Sequence, residues 1–195
     1  MMPPRLLTTL LLALGLAACA GSLDVRHYTL APAAAPAPRG TTPTLAVGPV
    51  SIPDYLLRSD LVTRIDANRI SHSADRRWAE PLDRGIQRVV AENLGALLDS
   101  TRVGPFPAIE ARREGYRVAL RVHRFEAEDQ RAVGVIDWTL RRADSGDILA
   151  GSTFVGREAI ADMGAAAITA GLSRLLAALA DDIAGAVDAA QRQES

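Results

Sequence analysis

No lysine occurs anywhere in this chain of 195 residues, so all 22 of its basic side chains are arginines. They face 23 acidic residues, for a net charge of −1 and a pI near 6.3. That balance excludes the basic stripe and high pI of a nucleic-acid binder. The absence of lysine reads as the compositional bias of a GC-rich genome, and arginine also suits bidentate contacts to carboxylate and phosphate. Cysteine occurs once, at Cys19, which leaves no partner for an internal disulfide and no cysteine metal site. His27, His72 and His123 are scattered among different elements, with no His-Glu-x-x-His spacing, so no metal ligand set is assigned. There is no Gly-x-Ser-x-Gly elbow and no phosphate-cradling glycine loop, which excludes a serine hydrolase and a nucleotide site of those types. The sequence therefore offers no catalytic residue, no cofactor and no metal, and points away from an enzyme. Hydrophobic residues make up 48% of the chain, enough for one core, and the length fits a single domain.

The amino terminus sets the compartment. Arg5 supplies a short basic start, and Leu6 to Leu16 is an apolar run of about eleven residues, which matches the h-region of a secretory signal. It is too short to cross a bilayer, which needs about 20 apolar residues. The run ends in Leu16-Ala17-Ala18-Cys19, similar to the lipobox of bacterial lipoproteins: small residues admit the signal peptidase, and the thiol takes the diacylglycerol. Residues 1–18 are thus expected to be a signal peptide and Cys19 the lipidation site. Two or more acyl chains hold a protein on a membrane stably where one does not. Ala20, rather than aspartate, follows the cysteine, which by analogy with enteric bacteria favours the outer membrane, with the protein facing the periplasm.

Residues 19–44 join the anchor to the body. Val25 to Leu30 includes Tyr28 and reads as a short strand. Ala31 to Pro43 is almost wholly alanine, proline, glycine and threonine, and composition leaves open a polyproline spacer or a loop between two strands. A single α+β domain is expected over 45–191, together with the 23–30 strand. Leu45 to Val50, Leu61 to Ile65 and Asn68 to Ser71 read as strands, the last two joined by the turn Asp66-Ala67-Asn68. Pro81 suits the first position of a helix running to about Asp99. Its apolar stripe is Leu82, Ile86, Val89, Val90, Leu94, Leu97 and Leu98, with Gln87 among the residues of the polar face. Tyr116, Val118, Leu120 and Val122 alternate with Arg117, Ala119, Arg121 and His123, a half-buried strand. Ile136, Trp138 and Leu140 form the next, and Asp144-Ser145-Gly146-Asp147 turns the chain into a third, Ile148 to Val155. A helix from about Asp162, its cap, to about Ala190 carries Ile168, Leu172, Leu175, Leu176, Leu179, Ile183 and Val187, and Arg174, Asp181 and Asp182 argue against a membrane span. This order predicts a mostly antiparallel or mixed sheet packed on one face by two long helices. Glu126, Glu128 and Asp129 read as a solvated acidic turn.

The stretch from Val50-Ser51-Ile52-Pro53-Asp54-Tyr55-Leu56 through Arg58, Leu61-Val62-Thr63-Arg64 and Trp78-Ala79-Glu80-Pro81-Leu82 to Glu92-Asn93-Leu94 resembles the ABC-type transport auxiliary lipoproteins. These include the PqiC-type lipoproteins of mammalian-cell-entry (MCE) lipid transport systems. The resemblance implies an outer-membrane lipoprotein, supporting envelope integrity, that receives the far end of a hydrophobic conduit formed by an MCE-domain protein of the inner membrane. It also favours placing residues 31–43 within the domain as a loop.

Two surfaces are candidates for contact with that partner. Pro53 to Arg64 places apolar groups beside arginines in an apparent loop, a pattern typical of interfaces, and Arg77-Trp78 precedes the first helix as either a packed entry or a binding edge. The candidate partner-binding residues are Tyr55, Leu56, Arg58, Arg64, Arg77 and Trp78. Arg117, Arg121 and Arg141 would share the wet face of the sheet, as a solvated surface or a site for phosphate headgroups or an acidic partner. The sequence is also compatible with a homo-oligomer, and with a carrier that itself binds a lipid or small hydrophobic ligand.

Overall fold

The computed structural model describes residues 24–33, 35–107 and 114–194; Cys19 and the signal segment before it lie outside the described residues. The fold is α+β. Strands β1 (Arg26–Tyr28), β2 (Leu45–Ser51), β3 (Asp60–Arg64), β4 (Ile70–Trp78), β5 (Val103–Pro105), β6 (Tyr116–Glu128), β7 (Arg131–Arg142) and β8 (Ile148–Ala159) form a single mixed sheet. Helices α1 (Leu82–Leu97) and α2 (Ala165–Glu194) are the two α-helices among the described residues.

The long strand β6 is the trunk. On one side β7 runs antiparallel along its whole length, and β8 lies outside β7. On the other side the sheet forks. β2 pairs parallel with the first half of β6, from Leu45 opposite Tyr116 to Ser51 opposite Arg121, with β5 beyond it. β3 pairs parallel near the far end, Thr63 opposite Ala127, followed outward by β4 and then β1. Alternation supplies the core: Tyr116, Val118, Leu120 and Val122 are buried together with Ile136, Trp138 and Leu140. α1 lies over β2 and β5, α2 over β6, β7 and β8, and the helices touch each other. The stripe Ile168, Leu172, Leu175, Leu176, Leu179, Ile183 and Val187 of α2 is buried as expected, each side chain contributing about 1.5–3 kcal/mol. Gly171 lets α2 approach closely: a Cβ there would meet Ile160 at 2.5 Å and Ala132 at 2.9 Å.

Several boundaries differ from the sequence reading. The return strand after the 66–68 turn continues to Trp78, so Trp78 ends β4 rather than preceding a helix in a loop. Pro81 is extended and α1 begins at Leu82. α2 begins at Ala165, and Asp162 instead accepts the Gly164 amide at 2.6 Å. Val103–Pro105 forms a short edge strand on β2. Gln87 is buried rather than on the polar face, because its amide donates to the carbonyls of Val47 and Phe106 at 2.8 Å each. The chain can bulge there because Gly48 holds a φ of +126°, where an L side chain would be strained and would collide with Gln87. Leu97, placed in the stripe by periodicity, is exposed at the end of α1.

Candidate functional site

The largest correction concerns the acidic residues of β6. The sheet register slips between Val122 and Arg124, so β6 continues past His123 instead of ending there, and Glu126 becomes a strand residue opposite Val133. The turn is Asp129-Gln130, both at positive φ. Glu126 has 0% exposure. A buried carboxylate is tolerated only when paired and hydrogen-bonded, and here Tyr55 Oη donates at 2.7 Å, Arg64 Nε at 2.7 Å and Arg124 Nε at 2.9 Å. Arg124 also reaches Glu128 at 2.8 Å. Burial pushes the Glu126 carboxyl upward, but the hydrogen bonds from Tyr55, Arg64 and Arg124 outweigh it and hold the group below its ordinary value. The Tyr55 hydroxyl is driven well above its ordinary value by burial and then by its hydrogen bond to Glu126.

This network places the sequence-derived candidates. Tyr55 and Arg64 are turned onto Glu126, with the Arg64 guanidinium 5.9 Å from the Tyr55 ring centre. Leu56 and Leu61 are in the core, so the apparent apolar loop is mostly internal. What remains outside is Leu57, 64% exposed, and Arg58, whose side chain is 66% exposed. Beside them Asp60 faces two guanidinium groups, Arg58 Nε at 3.1 Å and Arg77 Nε at 3.7 Å, with the His72 ring nitrogen Nδ1 at 3.9 Å. Arg77 therefore joins Arg58 through Asp60, opposite it in the β3–β4 register. Trp78 stands apart from this patch, 7% exposed within the core.

The Trp78–Leu82 stretch does a second job. The Trp78 amide donates to Ser59 and the Ala79 amide to Tyr28. Glu80 accepts Arg88 Nη2 at 2.6 Å and the Thr29 hydroxyl at 3.2 Å, and the same Arg88 nitrogen donates to the Leu30 carbonyl at 2.9 Å. The hydrogen bond from Arg88 is the main reason the Glu80 carboxyl is held below its ordinary value. The chain after Leu30 is fastened in turn: the Ala31 amide to Ser173, the Ala33 amide to Asn93, the Arg39 amide to Asp99. Residues that read as a helix entry thus clamp the segment leading back toward Cys19. Between that segment and α2 runs an apolar groove of about 440 Å³, lined by Tyr28, Ala31, Pro32, Ala166, Ala170 and Ala177 among others.

Asn93 and Glu126 show what periodicity missed. Asn93 sits on the buried side of α1, and only its Oδ1 contact with a chain segment 60 residues away explains it. Glu126 was recoverable from the resumed alternation Arg124, Phe125, Glu126, Ala127, Glu128 once a one-residue bulge is allowed. Among the described residues no group of three or more His, Cys, Asp or Glu is placed to hold a metal, and no helix is long and apolar enough to cross a membrane.

A family model described as the ABC-type transport auxiliary lipoprotein component matches residues 28–184. The chain belongs to this family. The match begins at Tyr28, the last residue of β1, and takes in the clamp, the Glu126 network and most of α2. Among solved structures, an uncharacterized protein is similar with a TM-score of 0.70 at 20% identity, over 83% of this chain and 97% of its own. A Xanthomonas campestris protein is similar with a TM-score of 0.65 at 17% identity, over 88% of this chain and 100% of its own. At these identities they establish a shared fold. No curated protein matches the chain. As a transport auxiliary lipoprotein it is associated by family with an ABC-type transport system.

Proposed function

We propose that this auxiliary lipoprotein is a non-enzymatic component of an MCE-type lipid transport system, anchored to the outer membrane through Cys19 and docking the periplasmic end of the MCE conduit. The observation that carries this reading is the family membership over residues 28–184 together with the lipobox at Leu16-Ala17-Ala18-Cys19. The clamp of Glu80, Arg88, Asn93 and Ser173 on residues 29–33 supports it mechanically, because load on the anchor is passed to both helices rather than to a loose tether. Leu57, Arg58 and Arg77 form the docking patch: an exposed leucine rimmed by arginines that Asp60 holds in place. Tyr55, Leu56 and Arg64 act behind that patch as its support, and Trp78 serves the core.

The test is cross-linking in cells of a tagged full-length protein followed by pull-down and mass spectrometry. Recovery of an MCE-domain protein with the native chain, and its loss with Cys19→Ala, is the expected result. A Cys19→Ala variant that still fractionates with outer membrane contradicts the anchor, and good recovery of the bait without any MCE-domain protein contradicts the dock.

A second reading, a carrier of lipid or a small hydrophobic ligand, draws on the alanine- and proline-lined groove beside α2, whose 440 Å³ falls in the range of small-ligand sites, about 300–1,000 Å³. Extraction of the purified protein separates the two: stoichiometric lipid in addition to the Cys19 acyl chains favours the carrier, none favours the dock.

A further inference from the structure

On the face of the sheet away from the helices, Arg117 of β6 stands directly opposite Arg141 of β7, and Arg121 lies four residues further along β6. Like charges directly opposed across a strand pair destabilise it. Among the described residues none of the three forms an ion pair within 4 Å. Arg117 rests on the Phe106 ring, 5.4 Å from its centre, and Arg141 donates to the Gly146 carbonyl at 3.0 Å. Asp137, opposite Arg121 in the β6–β7 register, is already committed: His123 Nε2 lies 2.7 Å from its Oδ2, and the Thr153 hydroxyl donates to its Oδ1 at 2.7 Å.

Between the arginines the sheet floor is low. Ala119, Thr139 and Gly151 form one cross-strand row, flanked by Arg117 and Arg141 on one side and by Arg121 and Asp137 on the other. Ser51, opposite Arg121 in the β2 register, and Pro49 close the end, making a cleft of about 420 Å³. The hydroxyls of Ser51 and Thr139 make no hydrogen bond among the described residues. Arg121 and Arg141 both line the cleft, with backbones about 13 Å apart along the strand direction, and Ala119 and Thr139 lie in the row between them. We propose that this cleft binds a phosphate group, carried either by a phospholipid head or by a small soluble phosphate. Two guanidinium groups lining a cleft that also holds two hydroxyls suit the charge and the several acceptor oxygens of phosphate, and an anion there would offset the Arg117–Arg141 repulsion. The inference is independent of the docking patch, which lies around Asp60.

Calorimetric titration of the full-length protein in uncharged detergent at low salt tests it, with inorganic phosphate in one arm and short-chain phosphatidylglycerol against short-chain diacylglycerol in the other. Saturable binding that weakens roughly ten- to a hundredfold in Arg121→Gln and in Arg141→Gln, at unchanged Tm, is expected. Response to phosphate assigns a soluble source, and response to phosphatidylglycerol alone assigns the lipid head. No binding in either arm, binding unchanged in both variants, or binding of an acidic peptide where both phosphate arms are silent overturns the proposal.

Discussion

The two ends of the uncovered sheet face are built from the same residue types and end in opposite states. At the far end of β6, Arg64 and Arg124 meet Glu126, the Tyr55 hydroxyl caps its second oxygen, and the carboxylate is wholly removed from water. At the near end, Arg121 and Arg141 line a cleft floored by small residues, Arg117 stands opposite Arg141, and among the described residues none of the three has an ion-pair partner within 4 Å. The first arrangement is complete and holds two strands and a loop together. The second is incomplete, and an incomplete cluster of one sign is where an outside group can bind. Arginine on a sheet face is thus structural or recognitive according to whether a carboxylate is delivered with it, here by a one-residue bulge that turns Glu126 to the same side as Arg64.

The contrast can be broken from its strongest member downward. Glu126→Gln leaves two poorly exposed guanidinium groups facing a neutral amide, and should cost about 3–5 kcal/mol in urea unfolding. A loss below about 1 kcal/mol would place the network with ordinary surface pairs. Tyr55→Phe removes one hydrogen bond to the charged carboxylate and should cost about 1.5–3 kcal/mol by the same measurement.

The pH dependence sharpens the comparison. Glu126 has a folded-state pKa below its ordinary value of 4.5, so its contribution is present above the unfolded pKa and is lost as pH falls through the folded one. The stability gap between the native chain and Glu126→Gln should be full at pH 7 and shrink progressively as pH falls below about 4.5. A gap that stayed constant to pH 3 would mean that the charge of Glu126 is not what the network uses. At the other end, Arg121→Ala should change stability by no more than about 0.5 kcal/mol. Arg58→Ala, which removes one exposed partner of Asp60, belongs at the same small scale, about 0–1 kcal/mol.

The fold was legible where side-chain period and burial agree. The stripe of α2 and the alternations Tyr116 to Val122 and Ile136 to Leu140 follow from spacing alone, because each packs one face on the core. Legibility failed where a residue's environment is set by a segment far away in sequence. Glu126 reads as solvated until the bulge at His123 is seen and Tyr55, 71 residues away, arrives above it. Gln87 reads as polar-face until the carbonyls of Val47 and Phe106 are brought to it. For the candidate site, sequence found the right neighbourhood but could not separate outward from inward side chains. In the stretch Tyr55-Leu56-Leu57-Arg58, a 3-10 turn at Asp54–Leu56 sends Leu56 into the core and leaves Leu57 outside, a distinction with no periodic signature.

The docking account is tested most directly by placing a photo-crosslinking residue at Leu57 in the full-length lipoprotein, with the same residue at Ser145 in the β7–β8 turn as the comparison. The account predicts that the Leu57 probe captures an MCE-domain protein and the Ser145 probe does not. Capture from Ser145 alone, or from neither position when both proteins are at normal levels in the membrane, would contradict it.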